Sequence, residues 1–150
     1  MSIGIGLLAI ITYYIFKIKH MARELSMNGN VKLKTILQEF TDRFPYIRIS
    51  IYASSEREKS SKTPLDYEKT ISEVREKKSS DPATIRGGQK VKNLEKMMND
   101  IFGLYCQVAY TDKEGKHSYT SGKQDEMSLR ELNSHGEEIG WAKDKWHISL

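Results

Sequence analysis

The stretch GGQKVKNLEKMMNDIF, residues 87–102, repeats a pattern found 58 residues earlier in GNVKLKTILQEFTDRF, residues 29–44. One Gly, two Lys, one Asp and the closing Phe occupy the same places in both stretches. Apolar residues recur at i, i+3, i+7 and i+11, which is one face of an α-helix. They are Leu33, Ile36, Phe40 and Phe44 in the first stretch and Val91, Leu94, Met98 and Phe102 in the second. The sequence therefore predicts two amphipathic helices with matching buried faces.

The similarity extends beyond these helices. Residues 21–78 align with residues 79–136 without a gap, and ten positions are identical. Unrelated sequences would match at about one position in sixteen, so the alignment indicates an internal duplication. The identical pairs are Gly29/Gly87, Lys32/Lys90, Lys34/Lys92, Asp42/Asp100, Phe44/Phe102, Tyr52/Tyr110, Glu56/Glu114, Ser60/Ser118, Glu68/Glu126 and Glu73/Glu131.

Strand patterns flank each long helix. Before the helices stand ELSM (24–27) and ATI (83–85), and after them stand YIRISIY (46–52) and LYCQVAY (104–110). In both later segments, apolar residues alternate with other residues, which indicates a sheet with one covered face. The phase of this alternation differs by one residue between the halves in the ungapped alignment. A β-bulge or a local slip would each explain the difference.

The two halves differ after these strands. Residues 110–122, YTDKEGKHSYTSG, predict a β-hairpin with its turn at 112–115. The corresponding ASSEREKSSKTP, residues 53–64, predicts a mobile charged loop, followed by a helix that Pro64 opens in PLDYEKTISEVREKK, residues 64–78. Apolar pairs at Ile71/Leu129 and Val74/Leu132 predict a short second helix in each half.

The predicted fold is α+β, with two tandem β-α-β-(β)-α repeats packed as one pseudo-two-fold domain behind an N-terminal apolar helix. The divisions are 1–20 for that helix, 21–78 for repeat 1, 79–136 for repeat 2 and 137–150 for a Trp-containing C-terminal tail. A chain of 150 residues can bury a core of this kind without a disulfide or metal.

Residues 2–16, SIGIGLLAIITYYIF, carry no charge and are followed by Lys17, Lys19 and Arg23. As a helix they would rise about 22 Å, near the lower limit for crossing a bilayer core of about 30 Å. The basic flank favours a single-pass anchor in the inner membrane through residues 3–16, with a cytoplasmic C-terminal domain. Two alternatives are a buried core helix and an extension that a cytoplasmic domain does not use.

Bulk composition narrows the classes of function. Lys and Arg exceed Asp and Glu by 24 to 20, a mild basic excess that permits an acidic partner without requiring one. Cys106 is the single cysteine, which excludes an intramolecular disulfide and fits a reducing compartment.

The best candidate contact site is the turn that enters each long helix. Backbone N–H groups at a helix N-terminus, with nearby lysines, can hold an anion or a partner's acidic group. The residues are Gly29, Lys32 and Lys34 in the first half and Gly87, Lys90 and Lys92 in the second. Neither copy matches the phosphate-loop pattern, and turn-forming glycines with solvated lysines are the simpler interpretation.

No catalytic, cofactor or metal site is predicted. His20, His117, His135 and His147 lack metal-ligand spacing, and Cys106 lies on a patterned strand as a small core residue. Glu73 and Glu131 lie beside apolar helix positions, where we expect them to form salt bridges.

The sequence resembles an uncharacterised group of bacterial proteins built from paired copies of VK.L...F...FPYL and KV..LEK.F...FGL.VQV, followed by a SL.ELN helix. The likeness covers about residues 21–142 and leaves out the first 20. It implies a two-repeat α/β module and carries no assigned activity.

The function expected from these features is a non-catalytic binding or interaction module with a protein partner. The partner would meet the sheet edge, the charged loop of residues 54–62, or the tail through Trp141 and Trp146. The alternative is a nucleic-acid-binding domain that uses the repeated Lys pairs. Tyrosines that could stack on bases lie on or beside the predicted strands, at Tyr46, Tyr52, Tyr105, Tyr110 and Tyr119.

Overall fold

The computed structural model describes residues 6–14 and 24–144, which form a mixed α+β fold as predicted. In chain order the helices are α1 at residues 6–14, α2 Leu33–Arg43, α3 Ile71–Val74, α4 Val91–Phe102 and α5 Leu129–Glu138. The strands are β1 Leu25–Met27, β2 Arg48–Ala53, β3 Ala83–Ile85, β4 Leu104–Thr111 and β5 His117–Tyr119. Short 3₁₀ helices cover Ser54–Glu56 and Gly122–Glu126.

Two antiparallel sheets join residues 21–78 to residues 79–136. In the smaller sheet β1 pairs with β3, and Ser26 lies opposite Thr84. In the larger sheet the order is β2-β4-β5, and β4 and β5 form the predicted hairpin. Each sheet therefore contains a strand from both parts of the chain.

The pairing of β2 with β4 shows which of the two explanations accounts for the one-residue difference in apolar phase. Its register is continuous from Arg48 opposite Ala109 to Ala53 opposite Leu104, so this ladder contains no bulge. The slip occurs before the strands. Four residues separate α2 from β2. One residue, Gly103 in a left-handed conformation, separates α4 from β4.

The core lies between the larger sheet and the two long helices. Ile49 faces Val108 and Ile51 faces Cys106 across the ladder, and all four side chains are buried with the apolar faces of α2 and α4. Each fully buried aliphatic side chain contributes about 1.5–3 kcal/mol through removal from water. The predicted helix-face residues Leu33, Ile36, Phe40, Val91, Leu94 and Met98 are each 0% exposed.

Contacts at the start of each long helix recur with a spacing of 58 residues. Isolated β-bridges join Lys32 to Thr70 and Lys90 to Ser128. The N–H of Ser72 donates to the carbonyl of Gly29 at 3.0 Å, and that of Arg130 donates to the carbonyl of Gly87 at 2.9 Å. The short helices α3 and α5 are thereby tied to the long helix of the same half.

At both glycines a side chain of the following helix lies close to the backbone. A Cβ on Gly29 would lie 2.1 Å from Ser72 Oγ, and a Cβ on Gly87 would lie 2.8 Å from Arg130 Nη2. Neither glycine has a positive φ. The turns predicted at these two glycines are present, but neither turn needs the backbone freedom of glycine.

The helix predicted for residues 64–78 is also wrong in extent, because only Ile71–Val74 is helical. Thr70 Oγ1 accepts from the N–H of Glu73, whose carboxylate accepts from the N–H of Thr70, and this capping box fixes the start. Upstream, the N–H of Leu65 donates to the carbonyl of Ile51 at 3.2 Å, so the chain follows β2 instead of coiling. The predicted charged loop begins with the 3₁₀ helix Ser54–Glu56.

Helix α1 lies inside the range predicted for an apolar N-terminal helix, and its side chains are exposed. The rest of residues 1–20 lies outside the described residues. Among residues 6–14 and 24–144, no helix has the length and apolar character needed to cross a membrane. A long apolar N-terminal helix is therefore not found in this part of the chain.

The tail after α5 closes one end of the core. Trp141 is 6% exposed, and its ring stacks on Tyr110 at 3.9 Å between centroids with an interplanar angle of 11°. A Cβ on Gly136 would lie 2.2 Å from Trp141 Cε3, so glycine is needed there for the ring to seat. Trp141 therefore offers little surface to a partner, and Trp146 lies outside the described residues.

Candidate functional site

The repeated Lys pairs contact carboxylates of the same half. Lys34 Nζ lies 2.9 Å from Glu68 Oε2, and Lys92 Nζ lies 2.7 Å from Glu126 Oε1. Lys32 and Lys90 reach the same two carboxylates at 3.7 and 3.5 Å. Hydrogen bonds from Lys34 and Lys92 lower the pKa values of Glu68 and Glu126. An external anion would have to compete with these internal carboxylates.

Backbone N–H groups at the same helix starts also have partners. The N–H of Leu33 donates to Lys69 O at 2.9 Å, that of Lys34 to Tyr67 O at 2.8 Å, and that of Val91 to Met127 O at 3.0 Å. The structure thus brings Gly29, Lys32 and Lys34, and likewise Gly87, Lys90 and Lys92, beside the following short helix. Anion binding at these positions stays a prediction.

A second polar surface lies on the side of the larger sheet that faces away from α2 and α4. It is exposed chiefly at His117 and Tyr119, whereas Tyr52 and Tyr105 are buried. Side chains alternate along each strand, so residues between the buried aliphatic positions all point to this side. We call it the polar face, and its residues are Arg48, Ser50, Tyr52, Tyr105, Gln107, Ala109, Thr111, His117 and Tyr119.

The first cleft on the polar face has a volume of about 340 Å³. The hydroxyls of Tyr52 and Tyr119 lie 2.6 Å apart at its wall. Burial and the hydrogen bond with Tyr119 raise the pKa of Tyr52, so the hydroxyl of Tyr52 keeps its proton at physiological pH. The lining residues are Arg48, Ser50, Tyr52, Pro64, Ala109, His117, Ser118 and Tyr119.

Arg48 organises one end of this cleft. Its guanidinium lies 2.8 Å from Asp144 Oδ1, 2.9 Å from Thr111 Oγ1 and 2.8 Å from His117 Nδ1. Burial raises the pKa of Asp144, and the charge of Arg48 opposes that shift. Because these groups bond to one another, they hold the tail against the sheet and leave His117 and Tyr119 as the exposed edge.

The second cleft, of about 390 Å³, adjoins α4 and the 3₁₀ helix Gly122–Glu126. Burial, and then the charge of Asp125, raise the pKa of Glu95 to about 7, while Arg57 acts in the opposite direction. Asp125 Oδ1 is buried and has no hydrogen-bond partner within the described residues. The lining residues are Arg57, Lys92, Glu95, Lys96, Asn99, Tyr105, Gln107 and Asp125.

Sequence reasoning missed this acidic pair, although the alignment of the halves contains a signal for it. The position 58 residues before Glu95 is Leu37, which is 6% exposed, and the position 58 residues before Asp125 is Tyr67, which packs against the core. Two carboxylates thus stand where the first half has an aliphatic and an aromatic side chain. An acidic residue at a position with a buried apolar counterpart could have been singled out.

The other residues considered as reactive groups have structural surroundings. Cys106 is 0% exposed, and burial raises the pKa of its thiol, which disfavours the nucleophilic thiolate. The carboxylate of Glu73 accepts from the N–H of Thr70 in a capping box, so the salt bridge expected for Glu73 is replaced by a capping bond. At Glu131 the backbone N–H donates to Ser128 Oγ, which caps that helix. Across the described ranges, no group of three or more His, Cys, Asp or Glu side chains could hold a metal ion.

Two histidines can be placed. His117 contacts Arg48 and Thr111, and the ring of His135 lies 5.9 Å from that of Trp141 in an edge-on arrangement. His20 and His147 lie outside the described residues.

No family model matches the sequence, and no significant match was found among curated proteins or among solved structures.

The substitution Glu95→Gln should stabilise the protein at high pH and not at low pH. The carboxyl of Glu95 has a pKa of about 7 in the folded protein against an ordinary 4.5, so the folded state holds the proton more tightly. Wild-type stability should therefore fall as pH rises from 4.5 to 7, while the neutral amide is unaffected. The quantity to compare is the free energy of unfolding of Glu95→Gln minus that of wild type. Since the site is partly solvated, we expect this difference to be about 1–2 kcal/mol larger at pH 8 than at pH 4.5.

Urea denaturation at both pH values measures this difference. Glu114→Gln, in the exposed hairpin turn, serves as the matched control and should show no such change. A Glu95→Gln effect that is the same at pH 4.5 and pH 8 would contradict the assigned burial of this charge.

Proposed function

We propose that the protein is a non-catalytic binding module, and that a protein partner docks on the polar face. The observation that carries this proposal is the asymmetry of the larger sheet. One side is covered by α2 and α4, while the other presents the first cleft between side chains of β2, β4 and β5. The second cleft lies where α4 meets Tyr105 and Gln107 of β4. Tyrosine and arginine are enriched in protein interfaces, and both are prominent here.

The chemistry of the polar face favours recognition over turnover. The guanidinium of Arg48 and the hydroxyls of Tyr52 and Tyr119 are fixed by bonds to neighbouring side chains. The cysteine is buried on the opposite side of the sheet. Fixed polar groups beside shallow clefts suit the selection of a partner surface.

We further propose that the domain arose by duplication and has an approximate two-fold relation between residues 21–78 and 79–136. The matching bridges Lys32/Thr70 and Lys90/Ser128 support this proposal, as do the matching ion pairs at Glu68 and Glu126. In this arrangement the β2–β4 ladder lies nearest the axis, and the differences between the halves concentrate at the clefts.

Docking on the polar face predicts position-specific crosslinking in the source cells. Tyr119, which is 45% exposed, is replaced by the photo-crosslinking residue p-benzoylphenylalanine, and Gln38 on the exposed side of α2 is replaced as the control. Irradiation should give a discrete protein adduct at position 119 and none at position 38.

Adducts at position 38 in place of position 119 would refute docking on the polar face. A turnover of substrate that a single substitution abolishes would refute the non-catalytic assignment.

We also propose that residues 3–16 tether the domain to the inner membrane, with the domain in the cytoplasm. The support is that α1 exposes large apolar side chains, such as Leu7 at 57% and Leu8 at 65%. Exposed apolar surface of this kind favours a lipid environment. We expect the full chain to float with bilayer vesicles in a density gradient and a chain of residues 21–150 to stay at the bottom. Equal flotation of the two chains would exclude a tether in residues 3–16.

A further inference from the structure

We propose that the second cleft binds an arginine side chain of the partner, and that Arg57 occupies this position in the free protein. The inference rests on the proposed binding function and names the chemistry that the cleft recognises. Three observations carry it: the placement of Arg57, the unbalanced charge of Glu95 and Asp125, and the apolar counterpart of the cleft in the first half.

Arg57 shows which chemical group the cleft accommodates. Its guanidinium carbon lies 4.4 Å from the centre of the Tyr105 ring, and its charge acts on the carboxyl of Glu95. A planar guanidinium stacks on an aromatic ring while its N–H groups point outward to carboxylates. The cleft offers both groups: the ring of Tyr105 and the carboxylates of Glu95 and Asp125.

Arg57 is also held weakly. Within the described residues its guanidinium forms no hydrogen bond and no ion pair, and stacking at an exposed site contributes only about 0.5–1 kcal/mol. The segment that carries it is anchored elsewhere, by Ser54 on Glu76 and by Lys59 and Thr63 on Glu56. The side chain can therefore leave without disturbing these anchors.

The acidic pair lacks sufficient counter-charge. Of the cations that line the cleft, Lys92 is paired with Glu126 at 2.7 Å and Lys96 is paired with Asp100, and neither acid belongs to the lining. Among the lining cations, this leaves Arg57 as the counter-charge for both Glu95 and Asp125. Asp125 Oδ1 is buried without a partner in the described part of the chain. An incoming cation would satisfy this oxygen and favour ionised Glu95.

The fold does not require these carboxylates. The corresponding positions in the first half hold Leu37 and Tyr67, which pack with the core. Burial of charge costs free energy, so an acidic pair in place of apolar residues indicates a binding role. A guanidinium suits the cleft better than a divalent cation does. The ring of Tyr105 gives a guanidinium a surface to stack on, but it supplies no oxygen ligand for a metal ion, and two lysines flank the cleft.

The test is an NMR titration of the full chain with N-acetyl-arginine amide, with N-acetyl-citrulline amide as the uncharged analogue. Arginine should shift the Tyr105, Gln107 and Asp125 signals, and citrulline should not. Removing the internal competitor by Arg57→Ala should tighten binding about 2- to 5-fold, as expected from the loss of about 0.5–1 kcal/mol of stacking. Arg86→Ala, which alters an exposed arginine paired with Glu24, is the matched control and should leave affinity unchanged.

Charge removal gives the second arm. Glu95→Gln and Asp125→Asn should each weaken binding at least about 5-fold, since a charge-assisted bond is lost. Wild-type affinity should fall several-fold between pH 8 and pH 5.5, and Glu95→Gln should lose most of that dependence. The amide spectrum of each variant shows whether it is folded. If only one of the two variants folds, its affinity is sufficient for the test.

Equal shifts from arginine and citrulline, no tightening in Arg57→Ala, or displacement of the probe by millimolar Ca²⁺ or Mg²⁺ would overturn the inference. The result is independent of the partner. Crosslinks at position 119 without arginine binding refute only this inference, whereas arginine binding without crosslinks refutes only the proposed docking on the polar face.

Discussion

The antiparallel pairing of β2 with β4 is the interaction on which the rest of the structure depends. It places Ile49 against Val108 and Ile51 against Cys106, and these pairs form the floor on which α2 and α4 pack. The smaller sheet has the same character, because β1 and β3 also come from different halves. Both sheets therefore include a pairing between the two parts of the chain, and the long helices pack on the larger of them.

The same pairing creates the surface on which we propose that a partner docks. With aliphatic side chains fixed on one side of the ladder, the intervening Arg48, Tyr52, Tyr105 and Gln107 must point to the other. Differences between the two parts of the chain then set the chemistry of this surface. The hairpin adds His117 and Tyr119 at one end, and the replacement of apolar residues by Glu95 and Asp125 makes a charged cleft at the other.

Local patterns predicted the long helices, the strands and the hairpin, because each follows from apolar spacing or turn chemistry. They failed where tertiary contacts decide. Residues 64–70 read as helix but lie along β2 and against the start of α2, and Pro64 does not begin a helix. The pairing of strands between halves could not be predicted, since it depends on contacts far apart in sequence.

The candidate site was harder to predict than the fold. The lysines at the helix starts attract attention in the sequence, yet Glu68 and Glu126 engage them. Asp144 lies close to Arg48 only because the tail returns across the end of the sheet, where the N–H of Ala142 donates to Thr111 O. Separation along the chain hides such clusters, and only the mismatches of Glu95 with Leu37 and of Asp125 with Tyr67 were visible in the sequence.

Native-state hydrogen exchange tests most directly whether the halves form one cooperative unit. At increasing sub-denaturing urea, the slowest amides of α2, α4, β2 and β4 should converge on a single free energy of opening, equal to that of global unfolding. If the amides of α2 and β2 open at a free energy lower by about 2 kcal/mol or more while those of α4 and β4 stay protected, each half folds by itself and the account is contradicted.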